Sequence, residues 1–261
     1  MTICALSSAP GSSGVAVIRI SGPETKNLIK KIIKKELPRP RMATLLKLYN
    51  INTSSLIDEA IVLWFPGPNS YTGEDMAEIH VHGSRAIITC LQNTILDTQK
   101  CRLAEPGEFT KLAFINGKIN LLKAEAIGDL IAAETQIQID QAQSIIKGKS
   151  FLKFEKIREK LIKILGTLEA KIDFPEEDIP ENVTKNIKKD LEKIEEDIKK
   201  ILDDNKVGEK IRTGFKVAIV GPPNSGKSSL MNYFSKRDVS IVSEIAGTTR
   251  DVLETHLNFD G

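Results

Sequence analysis

The spacing of apolar and polar residues changes texture twice along the chain. In the first stretch, Val15-Ala-Val-Ile-Arg-Ile20 predicts a strand opened by glycines and closed by Ser21-Gly22-Pro23. Residues 24–35 read as a helix, 60–65 as a buried strand, and 77–81 as another strand followed by a glycine. A helix over about 84–98 completes the pattern. Strands alternating with helices at this length predict one α+β domain over residues 1–116.

From 117 to 213 the period lengthens. Phe151, Phe154, Leu161, Leu165, Leu168 and Ile172 recur at three-or-four spacing, as do Ile187, Leu191, Ile194, Ile198 and Ile201. Each set draws an apolar stripe along one helix face, and the two helices are expected to pack in an all-α bundle. Asp173-Phe-Pro-Glu-Glu-Asp-Ile-Pro180 separates them. Glu195 with Lys199 and Glu196 with Lys200 stand in the favourable i,i+4 order, so the Lys/Glu-rich run reads as the solvated side of an amphipathic helix.

From 214 the texture changes again. Lys216-Val-Ala-Ile-Val220 predicts a buried strand and a helix is expected from Lys227, which sets the start of an α/β domain over 214–261. Between them Gly221-Pro-Pro-Asn-Ser-Gly226-Lys227-Ser228 satisfies G-x-x-x-x-G-K-[ST] at every fixed position. The chemistry requires these residues. Backbone N–H groups must converge on phosphate oxygens, which glycine permits, and the helix start adds its positive end. The Lys227 ammonium neutralises β- and γ-phosphates while the Ser228 hydroxyl ligates magnesium. About twenty residues on, Ile245-Ala-Gly-Thr-Thr-Arg-Asp251 stands where a switch segment lies; a threonine there offers its oxygen to magnesium and its N–H to the γ-phosphate. Residues 252–259 alternate as a half-buried strand ending in Asp260-Gly261, a hairpin-turn signal. That turn, with no second strand after it, leads to the expectation that the chain is the N-terminal part of a longer protein.

Composition narrows the function classes. The chain has 261 residues, 41% of them hydrophobic and 28% charged, with a net charge of +2. So balanced a charge offers no global field for nucleic acid, and any RNA contact must be local. No apolar run approaches the ~20 residues of a membrane span. Met1 to Pro10 has no basic segment before its apolar residues, which argues against a signal peptide. Cys4, Cys90 and Cys101 follow no metal-ligand spacing and read as reduced thiols, so a cytoplasmic location is expected.

Six segments together resemble the MnmE (TrmE) family of tRNA-modification GTPases. They are Pro68-Asn-Ser-Tyr-Thr-Gly-Glu-Asp75, Arg102-Leu-Ala-Glu-Pro-Gly-Glu-Phe109, Ala124-Glu-Ala-Ile127, Ile172-Asp-Phe-Pro175, Gly221 to Leu230, and Ile245 to Val252. The resemblance implies an N-terminal α+β domain like the folate-dependent glycine-cleavage aminomethyltransferase, which binds formyl-tetrahydrofolate and forms a homodimer. It further implies a helical domain with a Ras-like G domain inserted into it. A flavin-containing partner, MnmG, would join it in a heterotetramer that modifies carbon-5 of the wobble uridine in certain tRNAs, with no membrane involved. Arg19, Glu78 and Lys118 match the family's folate contacts. Their chemistry agrees: arginine suits a carboxylate tail, and a carboxylate suits the donor edge of a pterin. Glu78, His80 and His82 share a strand face and could ligate a metal by spacing alone, but the resembling family holds none there.

The same resemblance assigns nucleotide contacts to Asn224, Ser225, Gly226, Lys227, Ser228 and Ser229, and to Ser243, Glu244, Ile245, Ala246, Gly247, Thr248 and Thr249. Magnesium falls to Ser228 and Thr249. A potassium ion, standing where another GTPase's arginine finger would sit, falls to Asn224, Ser243, Ile245 and Thr248. The family's water-orienting glutamate and its C-terminal cysteine motif lie beyond residue 261, as does the base-reading segment. No catalytic residue is therefore assigned within 1–261, which alone is expected to bind nucleotide weakly and hydrolyse it negligibly. Two other readings stand beside the GTPase: a folate-binding dimeric module with a regulatory switch and no direct RNA chemistry, and a generic P-loop ATPase.

Overall fold

Ser13 to Ser21 alternates apolar and polar residues, and that alternation gives a strand one face for a core and one for chemistry. A computed structural model describes residues 1–173, 181–203, 207–214, 217–222 and 225–235, and places this strand at the middle of a six-stranded sheet. The chain divides into two compact units, Met1–Ala124 and Glu125–Gly261.

The strands of the first unit are β1 (Thr2–Leu6), β2 (Ser13–Ser21), β3 (Thr44–Tyr49), β4 (Leu56–Phe65), β5 (Met76–Gly83) and β6 (Cys101–Leu103). Their order is β3-β4-β5-β2-β1-β6; β1 and β6 are parallel and all other neighbours antiparallel. Helices α1 (Thr25–Ile33) and α2 (Arg85–Leu96) pack on the sheet, as the alternating strand–helix pattern predicts. Their Leu28, Ile29, Ile32, Ile33, Leu91 and Ile95 meet Ile18, Ile20, Val62, Trp64, Ile79 and Val81 in one core. The β1, β3 and β6 strands and a third helix, α3 (Glu108–Ile115), lie outside the sequence expectation. β1 is buried over Thr2, Ile3 and Cys4 in succession, so it shows no polar–apolar period, and β6 has only 3 residues.

The entry into α1 shows why Ser21-Gly22-Pro23 closes the strand. Gly22 has φ +131, and a Cβ there would stand 2.6 Å from Thr2 Cα and 2.8 Å from Thr2 Oγ1. That close approach lets the Thr2 hydroxyl accept from the Glu24 N–H at 2.9 Å. A residue of β1 thus satisfies a donor that the helix start leaves without an internal partner.

The second unit is helical among its described residues: α5 (Gln136–Ile146), α6 (Lys149–Asp173), α7 (Glu181–Leu202), α8 (Val207–Thr213) and α9 (Lys227–Ser235), with α4 (Leu121–Ala132) leading in. The two long helices stand where the periodicity puts them; of the predicted break, residues 174–180 lie outside the described residues. The stripes are less covered than a bundle requires. Every member of the α6 stripe, from Phe151 to Ile172, is exposed, and burial falls instead on Ile164, which lies off that stripe, and on Ile194 of the α7 stripe. One neighbouring helix covers only a narrow seam, whereas these stripes are wider.

Residues 217–220 form no strand, which corrects the expectation for 216–220 over those positions. Val217 and Val220 are exposed, at 84% and 87%. A strand exists through its ladder, and no described segment pairs with this one.

Gln138 joins α5 to α8. Its Oε1 accepts from the N–H of Glu134 at 2.8 Å and of Thr135 at 3.1 Å, and Thr135 Oγ1 accepts from the Gln138 N–H, forming a capping box. Its Nε2 donates to the carbonyls of Ile211 and Arg212, and Gln141 Nε2 donates to Gly208 at 3.0 Å. Arg212 adds an ion pair to Asp129 at 2.7 Å. The last carbonyls of α8, which a helix cannot satisfy internally, are thereby taken by α5. Gln138→Ala is expected to raise the amide exchange rate of α8 and the first turn of α5 at least several-fold, with the first unit unchanged in the same hydrogen-exchange experiment.

Candidate functional site

The face of the sheet opposite α1 and α2 bears two of the three predicted folate residues, Arg19 and Glu78. Arg19 of β2 and Glu78 of β5 are directly opposed cross-strand partners. The guanidinium reaches one carboxylate oxygen with two nitrogens: Nε donates to Oε1 at 2.9 Å and Nη2 lies 2.8 Å from the same oxygen. The side chains keep 27% and 18% of their exposure, so the pair is partly open. Arg19 therefore answers the charge of Glu78 before it meets any ligand, while Oε2 of Glu78 is left facing His80 Nε2 at 3.6 Å.

Two aromatic rings roof the pair. The guanidinium carbon of Arg19 is 5.6 Å from the centroid of Tyr71 and 5.5 Å from that of Phe109, both within cation–π range. Tyr71 belongs to the loop between β4 and β5, which is stitched down on both sides. Ser21 Oγ pairs with Thr72 Oγ1 at 2.7 Å and donates to Glu74 Oε2 at 2.9 Å. From α3, Thr110 Oγ1 pairs with the Tyr71 hydroxyl at 2.9 Å, and just beyond that helix Asn116 Nδ2 donates to Thr72 O at 2.7 Å. Tyr71, Phe109 and Thr110 were not singled out from the sequence; Tyr71 and Phe109 do fall inside two of the segments that carry the family resemblance.

Lys118 stands at the same loop rather than on the Arg19–Glu78 pair. Its Nζ donates to Pro68 O at 2.9 Å, and its stem runs past Gly73, where a Cβ would meet Lys118 Cγ and Cδ at 3.4 Å and Asn116 Cβ at 3.2 Å. The predicted trio thus comprises a bonded pair and a lysine held against the loop beside it. The metal reading of Glu78, His80 and His82 finds no convergence. His82 Nδ1 bonds Asp58 Oδ1 at 2.9 Å, and among the described residues no group of three or more potential ligands is placed to hold a metal.

The phosphate loop is described in part. Gly226 has φ +82, in the left-handed region that favours glycine, and α9 begins at the next residue. Lys227 Nζ donates to the carbonyls of Gly221 at 3.0 Å and Pro222 at 2.8 Å, so its ammonium is folded back over its own loop. Ser225, Gly226 and Ser229 are exposed; Lys227 and Ser228 are half-buried. Asn224 lies outside the described residues, as do Ser243, Glu244, Ile245, Ala246, Gly247, Thr248, Thr249 and the predicted strand over 252–259. A recess among Asp129, Gln138, Gln141 and Arg212 in the helical unit has its polar groups engaged with one another or with nearby backbone.

Arg102 and Glu108 fix the start of α3 and with it Phe109. Nη1 of Arg102 donates to Glu108 Oε2 at 2.8 Å, Nη2 bonds Oε1, and the Glu105 N–H adds a bond to Oε2 at 2.8 Å. The Arg102 hydrogen bonds, opposed by burial and aided by the Glu105 amide, push the Glu108 carboxyl down to about 2. A folded-state pKa below the unfolded one favours the folded state at high pH. The contribution is complete above the unfolded value of about 4.3 and is lost as pH falls through about 2. Glu108→Gln is expected to flatten the pH dependence of unfolding midpoints across that window, measured by denaturant titration at successive pH values.

Comparison with known proteins bears on both units. A family model described as GTP-binding protein TrmE N-terminus matches residues 2–118, and one described as MnmE helical domain matches residues 121–259. A Pelagibacter ubique protein named tRNA modification GTPase MnmE is 65% identical over 261 residues, covering 100% of this chain and 59% of that protein. Proteins of the same name from Rickettsia akari and Rickettsia bellii are 47% and 48% identical over 260 residues, covering 100% of this chain and 58% of each. The chain spans less than three-fifths of the length of these relatives. With one model on each unit and these relatives aligned along its whole length, the chain belongs to the MnmE (TrmE) family of tRNA modification GTPases.

Proposed function

We propose that the chain supplies the folate-binding, helical and phosphate-loop parts of a GTP-hydrolysing enzyme that modifies the wobble uridine of certain tRNAs at carbon-5. Its domains are read as 1–116, 117–213 and 214–261. The observation that supports nucleotide binding most directly is the loop: a left-handed Gly226, a helix beginning at Lys227, and an ammonium held by two loop carbonyls. A triphosphate offers this lysine a far stronger acceptor than either carbonyl.

In this reading the N–H groups of residues 224–229 bind phosphate oxygens, Lys227 neutralises their charge, and Thr249 with residues 243–248 closes when a γ-phosphate is present. Ser228, in the first turn of α9, and Thr249 are the protein ligands for magnesium. Asn224, Ser243, Ile245 and Thr248 are the ligands for potassium, which when bound supplies fixed positive charge beside the β–γ bridge. The N-terminal domain forms the homodimer and binds formyl-tetrahydrofolate at Arg19, Glu78 and Lys118. The flavin-containing MnmG is the partner and the cytoplasm the location. A folate-binding dimeric module with a regulatory G-domain switch and no direct RNA chemistry is the second reading, and the Arg19–Glu78 face serves both. Loss of the modified wobble uridine from bulk tRNA on gene deletion separates the two.

In the intact gene product, Lys227→Ala is expected to weaken GTP affinity at least about tenfold, since a hydrogen bond to a charged group is worth about 1.5–3 kcal/mol. Undiminished binding by calorimetry would remove the basis for the reading. Asn224→Ala is expected to abolish the acceleration of GTP hydrolysis by potassium over sodium while leaving nucleotide affinity within about twofold, because the charge acts on the transition state.

A further inference from the structure

β5 sets a second polar side chain beside Glu78. His80 stands two residues further along, so the period of the strand puts it on the same face. Its Nε2 is buried and has no hydrogen-bond partner. Across the ladders its neighbours are Val17 on β2 and Ile61 on β4, neither of which offers a side-chain donor or acceptor. His82, next on that face, is already bonded to Asp58. Glu78 Oε2, the oxygen that Arg19 does not touch, stands 3.6 Å from it.

A buried nitrogen without a partner is destabilising, and a movement of about half an ångström would bring this one within hydrogen-bond range. An ionised carboxylate accepts at about four lone-pair sites. With two Arg19 nitrogens on Oε1 and His80 on Oε2, Oε2 alone keeps a site for a donor from outside, and the plane of the carboxylate can no longer turn. That is the requirement for reading one N–H group on the edge of a flat heterocycle in a fixed direction. We propose that His80 is the positioning residue of Glu78: its Nε2–H closes on Oε2 and fixes the carboxylate toward the aminopyrimidinone edge of the ligand. This role rests on the reading of the Arg19–Glu78 face as the folate site.

The two amide side chains separate the two ring nitrogens. Glutamine at this position carries its amide about as far as Nε2, whereas asparagine reaches only as far as Nδ1. In the intact protein, the affinity for 5-formyltetrahydrofolate is expected to stay within about threefold in His80→Gln and to drop about tenfold in His80→Asn, as for loss of a hydrogen bond to a charged group. His80→Leu, flanked by Val17 and Ile61, is expected to fold and to lose as much as His80→Asn, with unchanged GTP affinity and thermal midpoint in all three. Equal binding by wild type, His80→Asn and His80→Leu would overturn the role, as would a His80→Gln loss equal to that of His80→Asn. A wild-type protein that does not bind 5-formyltetrahydrofolate would instead remove the folate reading itself, and this role with it.

Discussion

An arginine in the middle of an apolar strand must have an anion close by, and in this chain the anion is the residue directly across the ladder. The Arg19–Glu78 pair determines which face of the sheet is used for what. Because successive side chains of a strand point to opposite faces, Arg19 on one side obliges Ile18 and Ile20 to the other, where α1 and α2 cover them. A shift of pairing by one residue would bury a guanidinium among isoleucines and put isoleucines in water. The pair thus belongs to the register of the sheet as much as to any ligand.

Everything placed over that pair is held by short polar contacts rather than by a second core. The loop from β4 to β5 is fastened to β2 through Ser21 and to the region of α3 through Thr110 and Asn116; α3 is fastened at its start by Arg102 and Glu108. These contacts set Tyr71 and Phe109 against the guanidinium at nearly equal distances. A cation between two aromatic rings is partly desolvated, which strengthens its pull on any further anion. The face is polar at its centre and aromatic at its roof, a combination suited to a flat heterocycle with a charged tail.

The phosphate loop shows the opposite economy of structure. Its local features stand with no sheet beneath them among the described residues: a left-handed glycine, a helix start, a lysine folded onto its own carbonyls. They depend on backbone torsions and on one short helix, both encoded within a few residues. The β-branched run before it has no ladder among the described residues and leaves its valines exposed.

How much was legible in advance follows the same division between local and distant interactions. The amino-acid sequence alone determined the β2 and β5 strands, the α1 and α2 helices and the two long helices, because each has a period that its own residues display. It determined the G-x-x-x-x-G-K-S loop for the same reason. The tertiary structure alone decided that β1, β3 and β6 are strands: β1 is buried over successive residues, β6 has only 3, and in β3 the adjacent Leu45 and Leu46 break the alternation. It decided too that, among the described residues, the apolar stripe drawn for α6 stays exposed while Ile164 beside it is buried, and that the α7 stripe is buried at Ile194, because coverage depends on which face a neighbour meets. Above all it decided that Arg19 meets Glu78 59 positions away, and that Tyr71, Phe109 and His80 surround them. Contacts at that separation are set by strand order and register, which no local spacing encodes.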